Sequence, residues 1–357
     1  MWRLIVVGGV VAGVVIGVGA TAQQSLPPDY GFDFVTIGDV GNVAYEGLLG
    51  GGRITSAGSV NYEYRMARTE LRTSQFVEFM NVLGELAPQT ALNSIPSGWG
   101  AITQFNPDNT VRFELDTLLP NAGDIGVYGI SWRLAASYAN WLHNDKERSL
   151  DALNSGAYDR STFFTDPDSP PNLLDQTTRS PDARYWIPSL DEWLKAAHYD
   201  PNKNGRGDGG WWQYPNGSDE PLQAGLPGEP GAETSYQLDV DNFNELTIPV
   251  GAYPETQSPW GLLDVSGGAP EWTETWLPFN SQFTQVDRIW TGSLAGPNPF
   301  IGSGSNQDEI WRIGAEPPNI SGGRVGLRIA SAIPSPGSAV LLGMVVAAGG
   351  AWPRRRQ

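Results

Sequence analysis

The sequence predicts a single loop-rich α+β domain, and three observations carry that expectation. Glycine contributes 44 and proline 28 of the 357 residues, a density that favours short elements joined by turns over a helical bundle or a doubly wound sheet. Strand signals are brief and scattered, at Phe32–Ile37, Val60–Ala67 and Tyr185–Ile187. Helical signals are few, and no repeat at solenoid spacing accompanies them.

In chain order, Phe76, Phe79, Met80 and Leu83 fall at i, i+3, i+4 and i+7, which predicts a helix with Thr73 or Ser74 as cap and Gly84 near its end. Residues 88–128 lack a sustained period and are expected to be irregular. Ser131 then caps a helix running to about Leu142, with Trp132, Ala135, Ala136, Ala139 and Leu142 on its inner face. Residues 151–182, rich in Asp, Ser and Pro, read as loop. The sharpest local signal follows. Ser189 with Glu192 three residues on is a capping box, and Leu190, Trp193, Leu194 and Ala197 give one apolar face that ends near His198. From Tyr199 to Ala330 short apolar runs alternate with Gly, Pro and Asn turns.

Composition excludes several function classes. The formal net charge is −17 and the pI about 4.4, so no nucleic-acid partner is expected, because no basic face exists to neutralise phosphates. The chain has no cysteine and two histidines, His143 and His198. Disulfides, thiolate nucleophiles, Cys–zinc sites and multi-His metal centres are thereby removed. A bound metal would need oxygen ligands, which restricts it to Ca²⁺ or Mg²⁺. Each histidine is expected at a helix end, where the dipole favours it.

Both ends read as addresses. Arg3, the apolar run Leu4–Gly19 and Ala20-Thr21-Ala22 form the three parts of a secretory signal peptide over residues 1–22. At the other end stand Ile333-Pro334-Ser335-Pro336-Gly337, an apolar run Ala339–Trp352, and Arg354-Arg355-Arg356. This arrangement over residues 332–357 resembles the PEP-CTERM sorting tail, with Pro-Ser-Pro in place of Pro-Glu-Pro. The resemblance implies an exosortase-type sorting protease as partner, a cell-surface or extracellular destination, and transient membrane association through the tail. A plain single-pass anchor is the alternative.

The body between them, residues 30–331, centres on Trp260–Trp276. There a Gly267-Gly268 turn lies among Trp260, Trp272 and Trp276 and the acids Asp264, Glu271 and Glu274. Five blocks in order resemble the formylglycine-generating enzyme (sulfatase-modifying factor) family. They are Tyr64–Phe76, Ser131–Leu142, Arg184–Ala197, Pro249–Trp272 and Gly326-Leu327-Arg328. The resemblance implies a single domain with the family's loop-rich C-type-lectin-like variant of the α+β fold. It also implies a copper(I) oxidase whose metal is held by paired cysteines, chemistry that a cysteine-free chain cannot perform, so no copper is expected. A related iron branch needs three histidines. The block that reads R-G-G-S-W in the family reads Trp290-Thr291-Gly292-Ser293-Leu294 here.

Two oxygen-rich segments are candidate calcium sites. In the family the G-N-V-W-E-W turn helps hold calcium. Here Glu271 and Trp272 remain, with Asp264 just upstream as a further candidate ligand, but Gly268 replaces the Asn and Pro270 the first Trp. The other candidate is Asp200-x-Asn202-x-Asn204-Gly205-x-x-Asp208, which follows a calcium-loop spacing but carries Trp211 where the closing Glu belongs. For both, a plain structural or solvated turn is the favoured alternative. Glu271 and Glu274 could also form a glycosidase-type pair, although acids that close in sequence are expected to face solvent. Trp211, Trp212 and Tyr214 read as core rather than as a sugar platform. The functional expectation is an exported, non-catalytic binding or structural module with a surface glycan or protein ligand. A carboxylate-based extracellular hydrolase using the same cleft is the alternative, and formylglycine formation the remote one.

Overall fold

In the computed structural model, residues 26–163, 175–236, 247–278, 286–293, 308–321 and 324–333 are described. Residues 1–22 and the tail beyond Ile333 lie outside them. Among the described residues no helix is long and apolar enough to cross a membrane. Residues Pro27–Ile333 form one compact unit.

The elements are β1 (Phe34–Ile37), β2 (Tyr64–Ala67), α1 (Thr73–Leu86), α2 (Pro88–Asn93), β3 (Ala101–Phe105), β4 (Val111–Leu115), α3 (Trp132–His143), α4 (Leu150–Asn154), β5 (Tyr185–Trp186), α5 (Leu190–His198), β6 (Tyr199–Asp200), β7 (Gly210–Trp211), β8 (Glu271–Pro278), β9 (Val286–Thr291), β10 (Ile313–Glu316) and β11 (Ala330–Ala332). An antiparallel sheet runs in the order β1-β2-β11-β5, so the last strand is inserted between the second and the fifth. A smaller sheet runs β10-β9-β8. The closing strand therefore locks the first part of the chain to the last.

Helix α1 starts at Thr73, but Thr73 is no cap. Its buried hydroxyl donates to Ile125 O at 2.8 Å and accepts from Gly100 N at 2.8 Å. The backbone N–H of the capping position, Arg72, goes to Gln75 Oε1. Gly84 lies near the end of the helix, as expected, inside its last turn. A Cβ there would stand 2.3 Å from Val111 O, so the glycine allows β4 to pack on the helix flank. The stretch 88–128, expected to be irregular, contains α2 and the β3–β4 hairpin. Its pattern is weak because exposed apolar residues stand on both faces: Ile102 on one, and Phe105 and Leu115 on the face that also carries the buried Val111 and Phe113. Within 151–182, α4 takes up the first residues, capped by Ser149 Oγ.

The two capped helices form as the sequence predicts. Ser131 Oγ accepts from Leu134 N, and Ser189 and Glu192 exchange both bonds of the capping box. The apolar face of α5 is buried, but so are Glu192, Lys195 and His198, so the helix is enclosed nearly all round. Lys195 donates to Asp39 O at 2.8 Å, and burial lowers its pKa to about 8. His143 and His198 both lie in last helical turns.

Candidate functional site

Strand β8 organises the interior, since its two glutamates anchor two separate charge clusters. Glu271 and Glu274 are 1% and 3% exposed, which corrects the expectation that they face solvent. Three residues apart on one strand, the two acids point to opposite faces, and the ladder to β9 is irregular between Trp272 and Trp276.

Glu271 meets Arg328 in a forked ion pair, with Nη2 at 2.7 Å and Nε at 3.0 Å from both carboxylate oxygens. Trp193 Nε1 adds a bond of 2.6 Å to Glu271 Oε2. The remaining Arg328 donors go to the carbonyls of Ala67, Arg68 and Leu263. Burial alone would lower the Arg328 pKa, but Glu271 and its neighbours raise it, so the guanidinium stays charged. The cluster joins α5, β2, β8 and the segment before β11, which explains why the Gly326-Leu327-Arg328 motif closes the fold.

Glu70 and Asp264 flank this pair. Glu70 is 3% exposed, accepts from Ala269 N at 2.7 Å, and lines a cavity of about 40 Å³ with Asp264, Tyr128, Tyr253 and the Gly267-Gly268 turn. Burial and then the neighbouring Glu271 and Asp264 push the Glu70 pKa well up. Asp264 holds the Gly251 N–H with both oxygens from a left-handed backbone, φ 57°, and burial raises its pKa to about 6. A Cβ at Gly268 would lie 1.8 Å from Glu70 Oε1. Glu70 thus fills the space a side chain at 268 would need, a physical reason for glycine where the family turn has Asn. Hydroxyls hold the turn itself: Ser293 Oγ accepts from Gly267 N at 2.8 Å, and Thr234 and Ser266 are bonded at 2.7 Å.

Glu274 belongs to the second cluster. Arg179 bridges Glu192 at 2.8 Å and Glu274 at 3.0 Å, with its guanidinium 4.1 Å from the centre of the Trp186 ring. Tyr62 donates to Glu192 Oε1 at 2.8 Å, Trp186 Nε1 to Glu192 Oε2 at 3.0 Å, and Tyr158 to Glu274 Oε1 at 3.2 Å. The capping-box glutamate is therefore also the hub of this network. Burial raises the Glu274 pKa to about 7 against the opposing pull of Arg179. Nearby, Arg288 lies 3.7 Å from the Trp132 ring and donates to the carbonyls of Gln176 and Glu274.

The 200–208 loop is built by its own bonds. Asp200 Oδ1 accepts from Asn202 N at 2.8 Å, Asp200 Oδ2 from Trp212 Nε1 at 3.2 Å, and Asn202 Oδ1 from Gly207 N at 3.1 Å. Asn204 Nδ2 donates to Gly209 O, and Asp208 O accepts from Asn204 N. These are the bonds of an Asx-type turn. The six candidate calcium ligands stay in two groups, Asp264 with Glu271, and Asp200, Asn202 and Asn204 with Asp208. Among the described residues no three His, Cys, Asp or Glu side chains are grouped to hold a metal. Trp211 packs on Tyr199 with ring centres 5.1 Å apart, and Tyr214 is buried.

Sequence reasoning missed Glu70 and Arg179 and gave Glu192 only a capping role. Glu70 and Arg328 did stand inside the matched blocks. Arg179 lies in a stretch with no periodic or motif signal.

The architecture is the loop-rich α+β fold of the sulfatase-modifying factor type. Residues 48–333 match the sulfatase-modifying factor enzyme 1-like domain, and the chain belongs to that family. CarF shares the fold, with a TM-score of 0.50 at 17% identity over 85% of this chain and 99% of that one. Treponema denticola variable protein 1 matches at TM-score 0.48 and 15% identity, covering 84% of this chain and 95% of its own. PvdO from Pseudomonas aeruginosa matches at 0.42 and 12%, covering 77% and 82%. No curated protein matches the sequence.

Proposed function

We propose that the protein is an exported, surface-sorted member of this family that binds a glycan or protein ligand and does not turn it over. The observation that carries this reading is the absence of cysteine from all 357 residues. Copper–thiolate oxidation has no ligand and no thiolate here. The commitment of the β8 carboxylates supports it further. Glu271 is neutralised by Arg328 and Glu274 by Arg179, so neither is presented as a free acid or base. Residues 1–22 direct export, and residues 332–357 engage an exosortase-type protease. Intact mass of surface-released protein, lacking both ends, is the expected readout of that step.

The central test has two arms. Purified protein with copper(I) and a thiol peptide should consume no oxygen, while a glycan and peptide array should give at least one saturable ligand. Turnover of any arrayed compound, abolished by Glu271→Gln, would replace the binding reading with the hydrolase. Calcium is tested separately by melting with the ion and then with a chelator. Asp200, Asn202 and Glu271 already spend their oxygens on protein donors, so no shift is expected. A stabilisation lost in Asp200→Ala or Asp264→Asn would assign the ion to one of the two segments.

A further inference from the structure

The hairpin loop around Leu49 and Ile54 faces strand β10 across a cavity of about 280 Å³, lined by Gly51, Arg53, Leu277, Trp311 and Arg312 among others. That volume is at the lower end of small-ligand pockets, roughly 300–1,000 Å³, and far above the 40 Å³ beside Glu70. The loop is drawn onto the strand by the Gly50 N–H, which donates to Trp311 O at 3.1 Å. A Cβ at Gly50 would sit 2.9 Å from Ile313 Cδ1, so this approach needs glycine.

Arg312 is the informative residue. The buried arginines Arg328 and Arg288 spend their donors on carboxylates or carbonyls. The Arg312 guanidinium makes no hydrogen bond among the described residues, and its buried Nε has only the distant Glu309 carboxylate beside it. Its ion pair, to Glu309 Oε2, is 3.5 Å long with the Arg side chain 42% exposed. Charge-assisted bonds are ordinarily about 2.7–2.9 Å. Its two Nη groups make no bond among the described residues and stand at a cavity in a protein of net charge −17. The Gly51 N–H has no hydrogen-bond partner among the described residues either. Half-buried Trp311 and buried Leu277 add apolar lining.

We propose that this cavity binds a small ring-bearing carboxylate, with the carboxylate taken by the Arg312 fork and the ring laid against Trp311. A planar guanidinium recognises a carboxylate bidentately, and the volume admits one ring rather than a peptide. The assignment rests on the binding reading above and names its ligand class.

Ligand-observed NMR on the full-length chain tests it with four probes: galacturonate, benzoate, glucose and glucosamine. Either carboxylate should bind saturably, and which one binds tells a sugar acid from an aromatic acid. Glucose and glucosamine should bind at least tenfold more weakly. Arg312→Gln should raise Kd for the carboxylate at least tenfold, and Arg312→Lys should recover only part of it, because Lys keeps the charge and loses the fork. Equal binding of glucose, no binding of either acid, or an unchanged Kd in a folded Arg312→Gln overturns the assignment. Should Arg312→Gln not fold, Arg312→Lys decides alone: full wild-type affinity overturns it. An array ligand held equally well by the variant would sink this cavity while leaving the binding reading intact; detected turnover would sink the binding reading instead.

Discussion

The two charge clusters hung on β8 use the same side-chain types to different ends. At Glu271 one carboxylate faces one forked arginine, and both are 1% exposed. Beside them burial raises the pKa of both Glu70 and Asp264. At Glu274 one arginine serves two glutamates and keeps 18% of its side chain exposed. The first cluster is complete without solvent and welds four segments distant in sequence. The second carries an excess acid, and its arginine is partly open to solvent. A buried ion pair is weak evidence for stability, yet breaking one is expensive, because the surviving charge has no partner.

That contrast can be broken experimentally. Arg328→Met should have the largest effect, a loss of about 3–5 kcal/mol or failure to fold, since Glu271 is left charged beside two other acids. Urea unfolding of the variant measures it, and a loss no greater than that of Arg179→Met would erase the distinction. Arg179→Met should cost less, about 2–3 kcal/mol, because Glu274 can accept a proton and solvent reaches the gap.

The pH dependence is the next effect in size. Glu274 goes from an ordinary 4.5 to about 7 on folding, and Asp264 and Asp308 from 3.8 to about 6, all through burial. Raised carboxyl pKa values mean that the folded state holds the extra protons. Their stabilisation is present at low pH and is lost as pH rises, through 4.5–7 for Glu274 and 4–6 for the aspartates. His198 opposes them, because burial lowers it from 6.5 to about 3 and favours folding as pH rises to 6.5. Three acids outweigh one histidine, so unfolding free energy should be higher at pH 5.5 than at 7.5. Glu274→Gln should flatten the upper part of that slope by up to about 1.4 kcal/mol per pH unit. A slope unchanged in this variant would mean that Glu274 stays ionised throughout. The smallest effect belongs to Glu70→Gln, within about 1 kcal/mol, as the amide replaces a neutral carboxyl of the same shape. A loss of several kcal/mol would show that Glu70 carries charge.

Local signals were legible wherever a helix announces itself. Ser131 and Ser189 cap as their spacing predicts, because a cap is decided within four residues. The β3–β4 hairpin was not legible, since its exposed Ile102, Phe105 and Leu115 blur the alternation that marks a half-buried pair. The blocks that identify the family were readable in order, yet their chemistry was not. Glu192 reads as a cap and is a buried hub. Glu271 and Glu274 read as surface neighbours, yet they are buried and pair with different arginines.

By itself, the sequence determined the class of fold, the family, and the absence of any cysteine thiolate, because composition and short-range spacing survive without coordinates. Only the tertiary structure decided which acids are neutralised, which turn tolerates no side chain, and which arginine keeps its donors. Those outcomes depend on partners far apart in the chain, Glu70 with Gly268 and Glu271 with Arg328. Electrostatic energy depends on distance and burial, and a linear sequence records neither.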